Sequence, residues 1–205
     1  MRRLARLLVL ATLPAGALAA PILGAVFTLR NLTFAARRGP AGAVVSLLNL
    51  PFDLLTNSLG FFGLLGFYPL YAEGPDRPAV GWREGSLIFA GGPLGAIVDG
   101  FASGFTPTTT VFLSRRAWDR LDDQSRDRLV NHELWHARRQ FLRYSGWIFW
   151  PAYLTANVVR GTHRRNPFES GRRGAYHNVD ELWDRGYRES VEYVACADPF
   201  WRWRR

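Results

Sequence analysis

The chain has 205 residues, of which 48% are hydrophobic and 21% charged; this length suits one compact domain, and the composition excludes an intrinsically disordered chain. The formal net charge is +9, and every basic residue is an arginine because the sequence contains no lysine. Such a charge suits anionic lipid headgroups, whereas the lack of a zinc finger or RNP-like motif leads us to expect no nucleic acid partner. The single cysteine, Cys196, excludes an internal disulfide and a cysteine-rich zinc site.

The N-terminus carries the pattern of a membrane-targeting segment. An arginine-rich start precedes an uncharged run over residues 7–29. A small-x-small cleavage site at residues 17–19 favours a cleaved signal peptide. The length of the apolar run, which is sufficient to span a bilayer, favours a retained anchor. We expect residues 1–29 to be one or the other.

Residues 41–72 form a second apolar stretch, in which Asp53 is the only charged residue. Because prolines and glycines interrupt it, three arrangements are open: a second transmembrane span, a re-entrant or surface-lying hairpin, or an apolar arm packed on the domain. One anchor would leave the domain outside the cytoplasm, whereas two spans would return it to the cytoplasm. In either case we expect a membrane-associated protein of the bacterial cell envelope.

A turn-rich segment over residues 73–78 marks the start of a domain that we expect to cover residues 78–205. Within it, Ser86–Phe89 and Thr108–Ser114 have the β-branched and apolar character of short strands. The Gly-rich segment between them has no assignable pattern.

Helical periodicity begins after Ser114. Asp123 and Ser125 are candidate N-caps of a helix that runs to about Tyr144, with Gly146 just past its end. The predicted fold class is therefore α+β and mainly helical, with a short β element, behind an N-terminal membrane segment.

Residues 132–136 read His-Glu-Leu-Trp-His, which is the HExxH pattern. Residues four apart on a helix lie on the same face, so the imidazoles of His132 and His136 can reach one tetrahedral zinc ion. Glu133 is then placed to take a proton from a water on that ion. Periodicity puts both histidines opposite the apolar stripe, facing solvent, a cleft or a second layer. The alternative interpretation is a solvated helix face that carries two histidines and no metal.

A third zinc ligand must come from elsewhere, because Arg139 and Leu142 replace the Gly and the last His of the longer HExxHxxGxxH pattern. The sequence Asn-Pro-Phe-Glu at residues 166–169 supplies a carboxylate in the first turn of a predicted helix. Glu169 can instead fold back onto the N-cap amide as in a capping box, and the local sequence leaves both roles open. The further candidates are His163, His177, Asp180 and Glu181.

The segment HELWHARRQ, the Trp-rich apolar stretch after it and the sequence NPFES together resemble small bacterial HExxH proteins with a downstream NPFE motif. These are similar to the gluzincin-type metallopeptidases, including uncharacterised domains that begin HELxHxxQ. The resemblance covers residues 106–176. It implies a zincin-like fold with zinc bound by His132, His136 and Glu169 and with Glu133 as the general base.

A peptidase also needs a hydrogen-bond donor for the oxyanion that develops at the scissile carbonyl. Among the tyrosines and histidines near the motif, including Tyr153 and His177, we favour Tyr176 and His163. The predicted strand over residues 109–113, as an exposed edge, would pair with an extended peptide through its main chain.

These patterns predict a membrane-associated zinc metallopeptidase that hydrolyses peptide bonds of a peptide or protein substrate. The alternative is a non-catalytic envelope protein, with or without zinc, that interacts with anionic lipid or a protein partner.

Overall fold

The computed structural model describes residues 2–37, 39–71, 78–83, 85–161, 163–170, 174–176 and 179. This part of the chain is mainly helical with a small mixed sheet, as predicted. The helices are α1 Arg2–Ala36, α2 Pro40–Tyr71, α3 Gly92–Val98, α4 Arg115–Arg120, α5 Asp123–Trp135, α6 Leu142–Arg160 and α7 Pro167–Ser170. The strands are β1 Ala79–Arg83, β2 Ser86–Ala90, β3 Gly104–Phe105 and β4 Val111–Leu113.

The first two helices form an antiparallel pair. Each is long and apolar enough to cross a membrane, over Leu8–Ala36 and Pro40–Leu70. Small residues let the two backbones approach, since a methyl group added at Gly16 would lie 3.0 Å from the Gly66 Cα; apolar helices associate in lipid through such contacts. Helix α2 is continuous through both of its prolines, so the hairpin that was one of three expected arrangements of residues 41–72 is not what the structure shows.

Helix α2 carries a polar stripe on the face that meets the rest of the protein. Asp53 Oδ1 accepts hydrogen bonds from the backbone N–H (3.2 Å) and the hydroxyl (2.7 Å) of Thr109. Asn57 Oδ1 accepts a hydrogen bond of 2.7 Å from the Thr110 hydroxyl. Because polar groups are buried at a cost unless they are paired, these bonds fix α2 against residues 108–110. The buried members of the polar stripe are Ser46, Asn49, Asp53 and Asn57.

The sheet has the strand order β1-β2-β4-β3. Strand β2 confirms the prediction for Ser86–Phe89, but the second predicted strand is shorter than residues 108–114, because the threonines at its start bind α2 instead. Strand β4 is parallel to β2 and antiparallel to β3. The expectation that residues 109–113 form an exposed edge is therefore wrong, because β4 lies between β2 and β3. The edge strand on that side is β3, from the Gly-rich segment without an assigned pattern.

Helix α5 begins at Asp123, directly after its N-cap residue. The cap is Asp122, not the predicted Asp123 or Ser125, and its carboxylate accepts a hydrogen bond of 2.7 Å from the Ser125 N–H. The apolar stripe expected from periodicity is buried: Val130, Leu134 and Phe141 are each at most 1% exposed. Two of these, Val130 and Leu134, pack on β2 and β4, and this contact orients the opposite face of the helix.

Between α5 and α6 the chain takes a wider, π-helical course over His136–Phe141. Helical geometry then breaks at Ser145, which has a φ of 55°, close to the predicted end at Tyr144. The polar stripe of α2 satisfies the backbone at this break. Asn49 donates to the Phe141 carbonyl (3.0 Å) and accepts from the Gly146 N–H (2.6 Å).

Candidate metal centre

The side chains of His132, His136 and Glu169 converge in the interior. The two Nε2 atoms of the histidines are 3.3 Å apart. Glu169 Oε2 is 3.3 Å from His132 Nε2, and Glu169 Oε1 is 3.3 Å from His136 Nε2. All three residues are buried, and their donor atoms are close enough together to hold a single metal ion.

The spacing of these donor atoms matches the requirement of a tetrahedral ion. Zinc bonds of about 2.0–2.1 Å place two ligands of a tetrahedron about 3.3–3.4 Å apart. The two Nε2 atoms have this separation, and so does each Nε2 from one oxygen of the Glu169 carboxylate. Glu169 Oε2 is buried and has no hydrogen-bond partner among the described residues, and a cation would satisfy it. Two imidazole nitrogens, one carboxylate and a position left for water or substrate form a donor set suited to zinc.

Gln140 fixes the orientation of one imidazole. Its Nε2 donates to the Phe168 carbonyl at 2.6 Å, which leaves its Oε1 2.7 Å from His136 Nδ1. An amide oxygen only accepts hydrogen bonds, so Nδ1 carries the hydrogen. When Nε2 of His136 carries no proton, its lone pair is therefore directed toward the other two ligands.

The segment that carries Glu169 is anchored to α6 through Asn166. The Asn166 side chain accepts from the Phe168 N–H at 3.0 Å, which caps α7, and donates to the Tyr153 carbonyl and to Asn157 Oδ1. The Asn166 backbone N–H donates to the His163 carbonyl. Because that amide is already paired, the Glu169 carboxylate does not close a capping box; it points instead at the two histidines.

Glu133 lies beside the three ligand residues without belonging to them. Its Oε2 accepts a hydrogen bond of 2.6 Å from the Thr106 hydroxyl, and its charge contributes to the raised pKa of His136. Its carboxylate also packs closely on Gly104 of β3, where an added methyl group would lie 2.7 Å from Glu133 Cδ. A buried carboxylate next to a metal site, oriented by a hydroxyl, is suited to accept a proton.

Two further residues predicted for catalysis border the ligands. The Tyr176 ring lies 4.9 Å from the His132 ring, centroid to centroid. His163 Nδ1 is 2.7 Å from the Tyr153 hydroxyl and 3.6 Å from Glu169 Oε1. The structure therefore brings both Tyr176 and His163 to the centre. His177, Asp180 and Glu181, the remaining candidates, lie outside the described residues.

In the metal-free site the Glu169 carboxylate and a protonated His136 stabilise each other. Burial would raise the pKa of Glu169, but the positive charge of His136 and the nearness of both imidazoles hold it well below its usual range. Burial would lower the pKa of His136, but the charge of Glu169 outweighs this and raises it. Burial, together with the charge of Glu169, also raises the pKa of Tyr153, whose hydroxyl donates to Glu169 Oε1 at 2.7 Å.

Sequence reasoning missed most of the residues that support the ligands. Thr106 and Gly104 hold Glu133 from β3 and the loop after it, and no motif marks either. From the sequence, Gln140 is only the last residue of the HELWHARRQ segment, although its position four residues after His136 is the helical spacing for a side-chain contact. Tyr153 was considered only as an oxyanion donor.

Comparison with known proteins gives no assignment for this chain: no family model, no curated protein and no solved structure matches it.

Proposed function

We propose that this protein is a membrane-associated zinc metallopeptidase that hydrolyses peptide bonds in a peptide or protein substrate. The observation that carries the proposal is the convergence of His132, His136 and Glu169. The two histidine Nε2 atoms are 3.3 Å apart, and each is 3.3 Å from one oxygen of the Glu169 carboxylate, with the buried Glu133 carboxylate beside them. A purely structural zinc site has four protein ligands, whereas three ligands and an open position are typical of catalysis.

In this proposal His132, His136 and Glu169 hold the ion. Zinc at this position would supply a water of lowered pKa and polarise the substrate carbonyl. Glu133 takes the proton of the attacking water and returns it to the leaving amine. Thr106 keeps Oε2 of Glu133 engaged at 2.6 Å, which fixes the rotamer of the carboxylate. Gln140 and Tyr153 hold His136 and Glu169 in place.

Stabilisation of the oxyanion is assigned to Tyr176 or His163. Tyr176 is half-buried against His132, and His163 is half-exposed beside Glu169. Both therefore lie next to the three residues that would hold the ion, within reach of a carbonyl bound there. A hydrogen-bond donor that is already oriented toward a developing negative charge lowers the energy of the transition state substantially.

The edge strand β3 supports a peptide as the substrate class. Gly104 of β3 touches the Glu133 side chain, and β3 pairs only with β4 among the described strands. An extended peptide that added to this edge by main-chain hydrogen bonds would run directly past the proposed base.

The proposal is tested by Glu133→Gln in the full-length protein reconstituted in liposomes. We expect the variant to bind zinc as the parent does and to lose cleavage of a library of internally quenched fluorogenic peptides. Asp123→Asn is the matched control, because the Asp123 side chain is 99% exposed, and it should cleave normally. Equal cleavage by the Gln variant, or no cleavage by the zinc-loaded parent, would contradict the proposal.

The second candidate is a non-catalytic envelope protein that binds anionic lipid or a protein partner. The apolar α1–α2 pair and the net charge of +9 favour it. In that case Glu133→Gln would leave every measured property unchanged.

A further inference from the structure

Helix α6 has an inner face that serves the metal centre and an outer face that is apolar and exposed. On the inner face, Phe149 is buried, and the centroid of its ring is 4.3 Å from that of the Phe141 ring. The Tyr153 hydroxyl, on the same face, donates a hydrogen bond to the Glu169 carboxylate. On the outer face, Leu154 is 57% and Val158 is 84% exposed. The outer face consists of Trp147, Ile148, Pro151, Leu154, Thr155, Val158 and Val159.

A helix at the surface of a soluble protein normally has a polar exposed face, whereas the exposed face of α6 is apolar. A contiguous exposed apolar surface of this kind marks an interaction site. Neither face of α6 offers an acidic side chain, and the helix is bounded by two exposed arginines, Arg143 and Arg160. Arginines that flank an apolar surface suit the phosphate groups of a bilayer more than a charged protein partner.

The outer face of α6 continues the apolar surface of α2. Trp147 donates its indole N–H to the Leu48 carbonyl at 3.2 Å, and its ring lies 4.7 Å from the Phe52 ring. Leu48 is itself 50% exposed and Trp147 61%. Exposed apolar side chains of α2, which has the length and composition to lie in lipid, therefore adjoin those of α6 at this contact.

We infer that the outer face of α6 is a third lipid-contacting surface, seated among the acyl chains of one leaflet. The helical run from Gly146 to Arg160 is about 22 Å long at 1.5 Å per residue, which is too short for the hydrocarbon core of about 30 Å. Helix α6 thus enters the membrane without crossing it, as an apolar helix with its arginines at the headgroups does.

This placement defines where the metal centre lies. The inner and outer faces of an α-helix are separated by about 10–12 Å, so the Glu169 carboxylate lies about one helix thickness from the lipid. Resting on the proposed function, the substrate class is then a polypeptide segment held at the membrane, such as the juxtamembrane part of an anchored protein.

The inference is tested by site-directed spin labelling of the full-length protein in vesicles of phosphatidylethanolamine and phosphatidylglycerol. Single cysteines replace Ile148, Leu154 or Val158 after the native thiol is removed by Cys196→Ser. Gln124→Cys, on an exposed position of α5, is the control. We expect collisions with oxygen to exceed those with a water-soluble nickel chelate several-fold at the three α6 positions and the reverse at residue 124.

Three outcomes are distinguishable. Preference for oxygen at residues 148, 154 and 158 supports lipid contact. Preference for the nickel chelate at these positions shows that α6 faces water, and low collision rates with both reagents show that protein, such as a second copy of the chain, covers it; either result overturns the inference. The measurement needs neither zinc nor turnover, and Glu133→Gln should not change it, so its failure is separate from a failure of the proposed peptidase activity.

Discussion

Gln140 and His136 are joined side chain to side chain one helical turn apart, with 2.7 Å between Gln140 Oε1 and His136 Nδ1. The Gln140 amide is itself fixed by the Phe168 carbonyl, in the residue before Glu169. One side chain therefore links the helix that carries two ligands to the turn that carries the third. Such supporting contacts orient the ligands and set their basicity.

Gln140→Leu removes this link while keeping the side-chain size. We expect zinc affinity to fall by about 10–100-fold, the range for loss of a partner that orients a ligating histidine. Competition with a chromophoric chelator measures the affinity, and the visible spectrum of the cobalt-substituted protein reports distortion of the site. Gln124→Leu makes the same change on an exposed position and should alter neither. If Gln140→Leu binds zinc as tightly as the parent, the role assigned to Gln140 is wrong.

Zinc affinity should depend on pH through His136. Its pKa is raised above the ordinary 6.5, since the charge of Glu169 outweighs burial, so the metal-free protein keeps a proton there to a higher pH than usual. Metal binding must displace that proton. The pKa of Glu169 is lowered, so this carboxylate stays ionised and adds no dependence near neutral pH.

The expected result is an affinity that weakens as the pH falls through the raised pKa of His136, by about tenfold per unit for each displaced proton. Titration calorimetry in buffers of different ionisation enthalpy, between pH 6 and 8.5, measures the protons released. An affinity that is flat across this range would show that His136 is not a ligand or is not protonated in the free protein.

Whether a feature could be predicted depends on how far apart in the sequence the interacting residues lie. The pair His132 and His136 was predictable because helix geometry alone brings residues four apart together. Glu169 was predictable as a candidate only, since its choice between cap and ligand depends on the Asn166 amide, which is paired with the His163 carbonyl. The local sequence does not predict this hydrogen bond.

Contacts between distant segments were not predictable. Asp53 was recognised only as a charge in an apolar stretch, although Ser46, Asn49, Asp53 and Asn57 recur at helical spacing. Their partners lie in residues 108–110 and at the start of α6, and no local rule connects these segments. The shortened strand β4 has the same origin, because threonines with high strand propensity bind α2 instead.

Asn49→Leu tests the link between α2 and the break that follows the π-helical segment. The substitution leaves the Phe141 carbonyl and the Gly146 N–H buried and unpaired, at a cost of about 2–4 kcal/mol for the two groups. Thermal and urea unfolding in detergent micelles measure the loss. Leu47→Ala, on a residue of α2 that is 54% exposed, is the control and should be nearly neutral. Equal stability of the two variants would show that Asn49 does not support the break.

Gly104→Ala probes the position of Glu133 without touching a ligand. The added methyl group would lie 2.7 Å from Glu133 Cδ, so the carboxylate must move off the Thr106 hydroxyl and out of the geometry for proton transfer. We expect zinc affinity to be unchanged and kcat on a cleaved fluorogenic peptide to fall by about 100-fold, at the low end of what a general base contributes. Gly100→Ala is the control, because a methyl group there would meet only the Ile97 carbonyl, at 3.3 Å. If zinc affinity falls in parallel with kcat, Gly104 supports the whole metal centre and not the base alone. If activity is unchanged, Glu133 in its observed position is not the general base.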